Sequence, residues 1–140
     1  MKILVFIFIL FSNLSYAYIN IYPTKFEKNI ANGNNETFKL YNRSGEKVRY
    51  RIYLESSEEN DMSKWSEVYP NSITLNPLEE KEIRLSIKPP KNISKGKYKA
   101  KLIVKEVGIP RKKNDNKINF YTLFKLNMIG YVGEKNENIK

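Results

Sequence analysis

The stretch Ile73–Val107, ITLNPLEEKEIRLSIKPPKNISKGKYKAKLIVKEV, decides the fold. Within it Ile83, Leu85 and Ile87 alternate with Glu82, Arg84, Ser86 and Lys88. Further on, Tyr98, Ala100, Leu102 and Val104 alternate with Lys99, Lys101, Ile103 and Lys105. A period of two sends one set to each face of a β-strand. Both runs therefore read as strands with a dry side and a wet one, Ile103 falling on the wet side. Between them Pro89-Pro90 and Gly96 supply chain-reversing chemistry, because proline cannot donate to a ladder and glycine tolerates unusual backbone angles. Neither strand can hide its apolar face alone, so a second sheet must cover it. The stretch predicts a two-layer sandwich.

The rest of the chain keeps the same rhythm. Tyr18–Tyr22 reads as a short first strand broken by Pro23, and Lys25–Ile30 as its second half. Ala31–Glu36 is a turn around Asn32-Gly33. Thr37–Asn42 places Phe38 and Leu40 inward. Val48–Leu54 is a central strand with Val48, Tyr50, Ile52 and Leu54 on one face and Arg49, Arg51 and Tyr53 on the other. Ser56–Lys64 reads as a solvated polar loop, since its carboxylates lack the Asp-x-Asp-x-Asp-Gly spacing of a calcium loop. Trp65–Tyr69 is a short edge strand with Trp65 capping the core, and Ile73–Leu75 is another strand. A basic loop, Gly108–Lys117, leads to a last strand over Ile118–Val132. No segment holds a helical period, so the chain reads as all-β, with about seven to eight strands.

Composition narrows the function. Met1–Lys2, the apolar run Ile3–Phe11 and the ending Ser15-Tyr16-Ala17 describe a secretory signal peptide over residues 1–17. That leaves a domain over residues 18–132 and a polar tail over 133–140, with no membrane insertion after cleavage, in a periplasm or secreted. The apolar opening run is too short to span a bilayer, which needs about 20 residues. Among 140 residues there is no cysteine and no histidine. The fold must then be held by its core, and the usual zinc ligands, thiol nucleophiles and histidine bases are missing. No cofactor and no enzymatic activity are expected. A formal net charge of +10 favours anionic partners, although lysine also fills the wet faces of strands. Nucleic acid is not expected for an exported chain.

The last strand is different from the others. Ile118, Phe120, Phe124, Leu126 and Met128 form one apolar set, and Tyr121, Leu123, Ile129 and Tyr131 form another. A strand that only closes a sandwich needs one apolar face. The first, larger set is expected inward. Tyr121, Leu123, Ile129 and Tyr131, with Lys125 between them, are then candidates for contact with a protein partner.

The order of motifs also resembles a known family. Tyr22-Pro23, Asn42, Pro70, Ile73-x-Leu75-x-Pro77, Glu82-Ile83-Arg84-Leu85 and Val104-Lys105-Glu106-x-x-Ile109-Pro110 come in sequence. Together they resemble the N-terminal immunoglobulin-like domain of the periplasmic pilus-assembly chaperones. Gly96-x-Tyr98 is similar to the tyrosine corner of immunoglobulin-like sandwiches, where the phenol ties down the preceding loop. The resemblance implies an immunoglobulin-like fold, and a chaperone-like module that pairs with a pilus or surface-protein subunit by lending its last strand. It also implies a basic pair that grips the subunit's terminal carboxylate, for which Lys25 and Lys125 are the positional matches. The family has arginine where Lys25 stands, and a second domain that this sequence does not match. The competing reading is a structural immunoglobulin-like component of a bacterial surface or adhesin complex.

Overall fold

The computed structural model describes residues 20–109 and 120–133. In chain order the strands are β1 (Ile21–Tyr22), β2 (Phe26–Asn29), β3 (Asn34–Tyr41), β4 (Val48–Glu55), β5 (Ser66–Tyr69), β6 (Ser72–Leu75), β7 (Glu80–Ile87), β8 (Gly96–Val107) and β9 (Leu123–Val132). A four-stranded sheet runs β1-β3-β7-β5 and a five-stranded sheet runs β2-β9-β8-β4-β6. The β2–β9 pair is parallel, and the other pairs are antiparallel. The result is the expected all-β, immunoglobulin-like sandwich.

The two strands of the deciding stretch do not pair with each other. β7 lies in one sheet and β8 in the other, so Pro89-Pro90 carries the chain across the sandwich. Both dry faces enter one core. Ile83, Leu85 and Ile87 of β7 and Ala100, Leu102 and Val104 of β8 are buried with Phe38, Leu40, Tyr50, Ile52, Leu126 and Met128. Each large aliphatic side chain so buried contributes roughly 1.5–3 kcal/mol. Pro23 makes a similar crossing. It ends the pairing of β1 with β3, and the chain resumes three residues later as β2 in the opposite sheet.

Particular residues hold the crossings. The buried Asn42 donates through Nδ2 to the carbonyls of Glu46 (2.7 Å) and Asn76 (2.9 Å) and accepts from the Ser44 amide (3.0 Å). It thereby ties the β3–β4 and β6–β7 connections together. The Tyr98 hydroxyl donates to the Ser94 carbonyl at 2.8 Å, the tie that Gly96-x-Tyr98 suggested. Trp65 packs edge-on against the same ring, with centroids 5.7 Å apart. Gly130 has no room for a side chain, because a Cβ there would collide with the buried side chain of Ile30.

Several sequence expectations need correction. Ile103 is on the outer face of the five-stranded sheet yet is 1% exposed, flanked in register by Tyr53 and Lys125. Met62, in the segment read as a solvated loop, is fully buried in the core. Its amide donates to the Lys99 carbonyl and its carbonyl accepts from the Ser66 hydroxyl, so the loop is folded onto β8. β3 starts at Asn34, inside the expected turn, and the last strand starts at Leu123 rather than Ile118. Phe120, expected inward, is 87% exposed, because it precedes that strand. Ile118, the signal segment, most of the basic loop and the tail lie outside the described residues.

Candidate functional site

β9 has different neighbours on its two edges. On one side β8 pairs with its whole length, from Lys105↔Leu123 to Gly96↔Val132. On the other side β2 pairs only from Phe26↔Met128 to Asn29↔Tyr131. β2 is this short because it begins just after the crossing at Pro23. Among the described residues, nothing pairs with the second edge of β9 from Leu123 to Asn127. A row of unpaired backbone donors and acceptors is a template for another strand.

The open segment is held firmly. Leu126 and Met128 are buried, and the Phe124 ring lies 6.4 Å from that of Tyr50 in the core. Just upstream, the Glu106 amide donates to the Thr122 carbonyl (2.8 Å) and the Thr122 amide to Glu106 Oε2 (2.9 Å). Burial, followed by the charge of Glu106, pushes the Tyr50 hydroxyl up to about 12.

Five of the six candidate partner residues lie on or just before β9, in two groups. Leu123 and Lys125 face outward on the open segment, and Tyr121 precedes it with its ring against Gly108. Leu123 is 48% and Tyr121 59% exposed. Ile129 and Tyr131 also face outward, but beside β2, and are half-buried. The Tyr131 hydroxyl donates to Glu27 Oε1 at 2.9 Å. These two belong to a part of β9 that already has its second neighbour.

Lys25 is not within a strand. It immediately precedes Phe26, whose partner is Met128, while Lys125 lies three residues upstream of Met128. Both lysines therefore sit where β2 ends and the open edge begins. Lys25 Nζ is 3.5 Å from Glu27 Oε2 in an exposed pair, which contributes little to stability. The sequence had no direct sign of the open edge, because strand pattern reports faces and not lateral neighbours. Its one clue was Pro23, placed so as to keep β2 short.

Among the described residues, no three His, Cys, Asp or Glu side chains gather as metal ligands, and no helix is long and apolar enough to cross a membrane. The acidic segment is used locally. Burial of Asp61 opposes its charge, but hydrogen bonds from the Ser63 amide and hydroxyl and the Ser57 amide outweigh it and lower its pKa.

No protein-family model and no curated protein matches the sequence. Solved structures do resemble the fold. The class 5 fimbriae chaperone CfaA is similar at 20% identity and a TM-score of 0.63, over 81% of this chain and 56% of that one. A chaperone–tip adhesion subunit pre-assembly complex, CsuC–CsuE from Acinetobacter baumannii, gives 17% identity and a TM-score of 0.59, over 82% and 57%. SSP-19 of Caenorhabditis elegans, related to MSP-domain proteins, gives 17% identity and a TM-score of 0.59, over 81% of this chain and 100% of its own. The chain thus spans about half the length of the chaperone chains it matches. Its architecture is an immunoglobulin-like sandwich similar to those of the fimbrial chaperones, whose motifs its sequence resembles, and of SSP-19.

Proposed function

We propose that this chain is an exported, chaperone-like binding module that pairs with a pilus or surface-protein subunit by β-strand addition along β9. The observation that carries the reading is the open edge Leu123–Asn127, rigidly backed by the core and presenting exposed Leu123 and Tyr121. In strand addition the main chain supplies hydrogen bonds and alternate side chains supply specificity. Leu123 and Tyr121 are the apolar contacts. Lys25 and Lys125, at the junction with β2, hold the subunit's carboxylate as two point charges, without the two-pronged grip of arginine. The likeness to fimbrial chaperones supports this reading, and so does the opening segment Met1–Ala17, which fits export to a periplasm. No reaction is assigned to the site.

The test is capture from the periplasm with tagged protein, identifying the subunit retained. The Tyr121→Ser/Leu123→Ser pair should lose that subunit while keeping its melting temperature within a degree or two, as expected for exposed side chains. Full capture by the double variant would overturn the proposal. So would a melting temperature lowered as far as a core truncation lowers it.

A further inference from the structure

Strand addition at β9 leaves the basic character of the chain unexplained, and the structure shows where much of that charge is concentrated. Alternation places Arg49 and Arg51 of β4, Lys99, Lys101 and Lys105 of β8, and Lys125 of β9 on the outer face of the five-stranded sheet. The register brings them into one field. Arg51 lies opposite Lys105, and Lys105 opposite Leu123. In the next row Tyr53 lies opposite Ile103, and Ile103 opposite Lys125.

Like charges set side by side cost stability unless something else requires them. Among the described residues, the carboxylates directly opposite these lysines and arginines are Glu55, across from Lys101, and Asp61, across from Lys99, both at one end of the field. None of the six cations makes an ion pair among the described residues. Arg49 donates instead to the Thr74 hydroxyl, at 3.2 Å. The other sheet is different. On its outer face Lys39 pairs with Glu80 and Arg84 with Glu82. The five-stranded sheet has its own exposed pair, Lys25 with Glu27, at β2; the cations without ion pairs gather on β4, β8 and the open part of β9.

From this face we infer a docking surface for an anionic phospholipid membrane, an inference that does not depend on strand addition. Three observations favour a membrane over an acidic polypeptide. The cations spread over three neighbouring strands, a two-dimensional field that matches a layer of headgroups better than one linear chain. Most of them are lysines, whose compact charges suit loosely ordered phosphates, whereas tight recognition of a single anion favours arginine. Exposed Tyr53 and Leu123 stand among the cations, as apolar and aromatic groups do at membrane interfaces. An open cleft of about 580 Å³ beside them, lined by Arg51, Tyr53, Asn71, Ser72 and Lys105, has room for a headgroup.

Vesicle co-sedimentation with the full chain tests this. Phosphatidylcholine vesicles are compared with vesicles in which about a third of the lipid is phosphatidylglycerol. Tighter binding to the anionic vesicles is expected. Lys101→Gln/Lys105→Gln should weaken it about 25-fold, taking about fivefold for each lysine. Lys39→Gln/Arg84→Gln removes the same charge from the other sheet and should change it less than about twofold. Any binding through Lys2 and the apolar run Ile3–Phe11 would be common to all the proteins, so it cannot imitate the difference between the two variant pairs. Equal losses for the two pairs would overturn the inference, as would indifference to anionic lipid. Binding to soluble polyglutamate but not to vesicles would also overturn it, and would make an acidic polypeptide the partner. The β8 variants leave Tyr121 and Leu123 intact, so subunit capture and vesicle binding can fail separately.

Discussion

Tyr50 shows how one residue joins the core to pH. Its ring is 4% exposed and neighbours Phe124 behind the open edge. Burial, with Glu106 adding to it, raises its hydroxyl from the ordinary 10.0 to about 12. Between those values the folded protein keeps the proton and the unfolded chain has lost it. Folding stability must then fall as pH rises through that window, and it is fully present below pH 10. A two-unit difference corresponds to about 2–3 kcal/mol at most. Tyr50→Phe removes the titration, so its stability should decline less steeply across the window, as urea unfolding at several pH values would show. Parallel curves for the two proteins would mean that Tyr50 ionises as freely folded as unfolded. The inward position of Tyr50 was legible from its alternation with Arg49 and Arg51, but the neighbouring Glu106 was not. Alternation places residues on faces, whereas the approach of Glu106 depends on the β4–β8 register, Tyr50↔Glu106.

At the scale of elements, faces were legible and partnerships were not. Phe38, Leu40, Ile52, Ile83, Leu85, Ile87, Leu102 and Met128 all point inward as a period of two requires. Met62 escaped because the polar run around it hides a single anchor, and Ile103 because one apolar residue among lysines carries no period. The open edge of β9 and the placing of β7 and β8 in different sheets were hidden for one reason: a pattern along one strand does not name the strand beside it. Asn42 bears on this directly, since it joins two sheet-to-sheet connections that are far apart in sequence. Asn42→Ala would leave the Glu46 and Asn76 carbonyls without their donor and the Ser44 amide without its acceptor. The expected cost is about 2–3 kcal/mol, measured as a lower urea midpoint with an unchanged slope. Asn42→Asp, which keeps the acceptor and loses the donor, should also destabilise. A midpoint within experimental error of the unmodified protein would show that the connections hold without it.

For the molecule as a whole, an open edge is a hazard before any subunit arrives. Two copies could pair along Leu123–Asn127 about a twofold axis, antiparallel and centred on residue 125. That register sets Lys125 of one copy directly opposite Lys125 of the other, with Leu123 opposite Asn127. Like charges facing each other across a strand pair are destabilising, and lysine on an exposed edge is a common guard against such association. Lys25 in both copies adds to the repulsion, since it lies at the same junction. Under the proposed function Lys125 would act twice, attracting a carboxylate from a subunit and repelling a second copy of the chain. Lys125→Val keeps the strand and replaces the guard with a residue that favours pairing. Sedimentation velocity should show this variant shifting from monomer to dimer as its concentration rises, while the unmodified protein stays monomeric. Subunit capture by the variant should fall with increasing concentration, because the dimer occupies the edge that the subunit needs. A variant that stays monomeric at every concentration would show that charge at residue 125 is not what keeps the edge open.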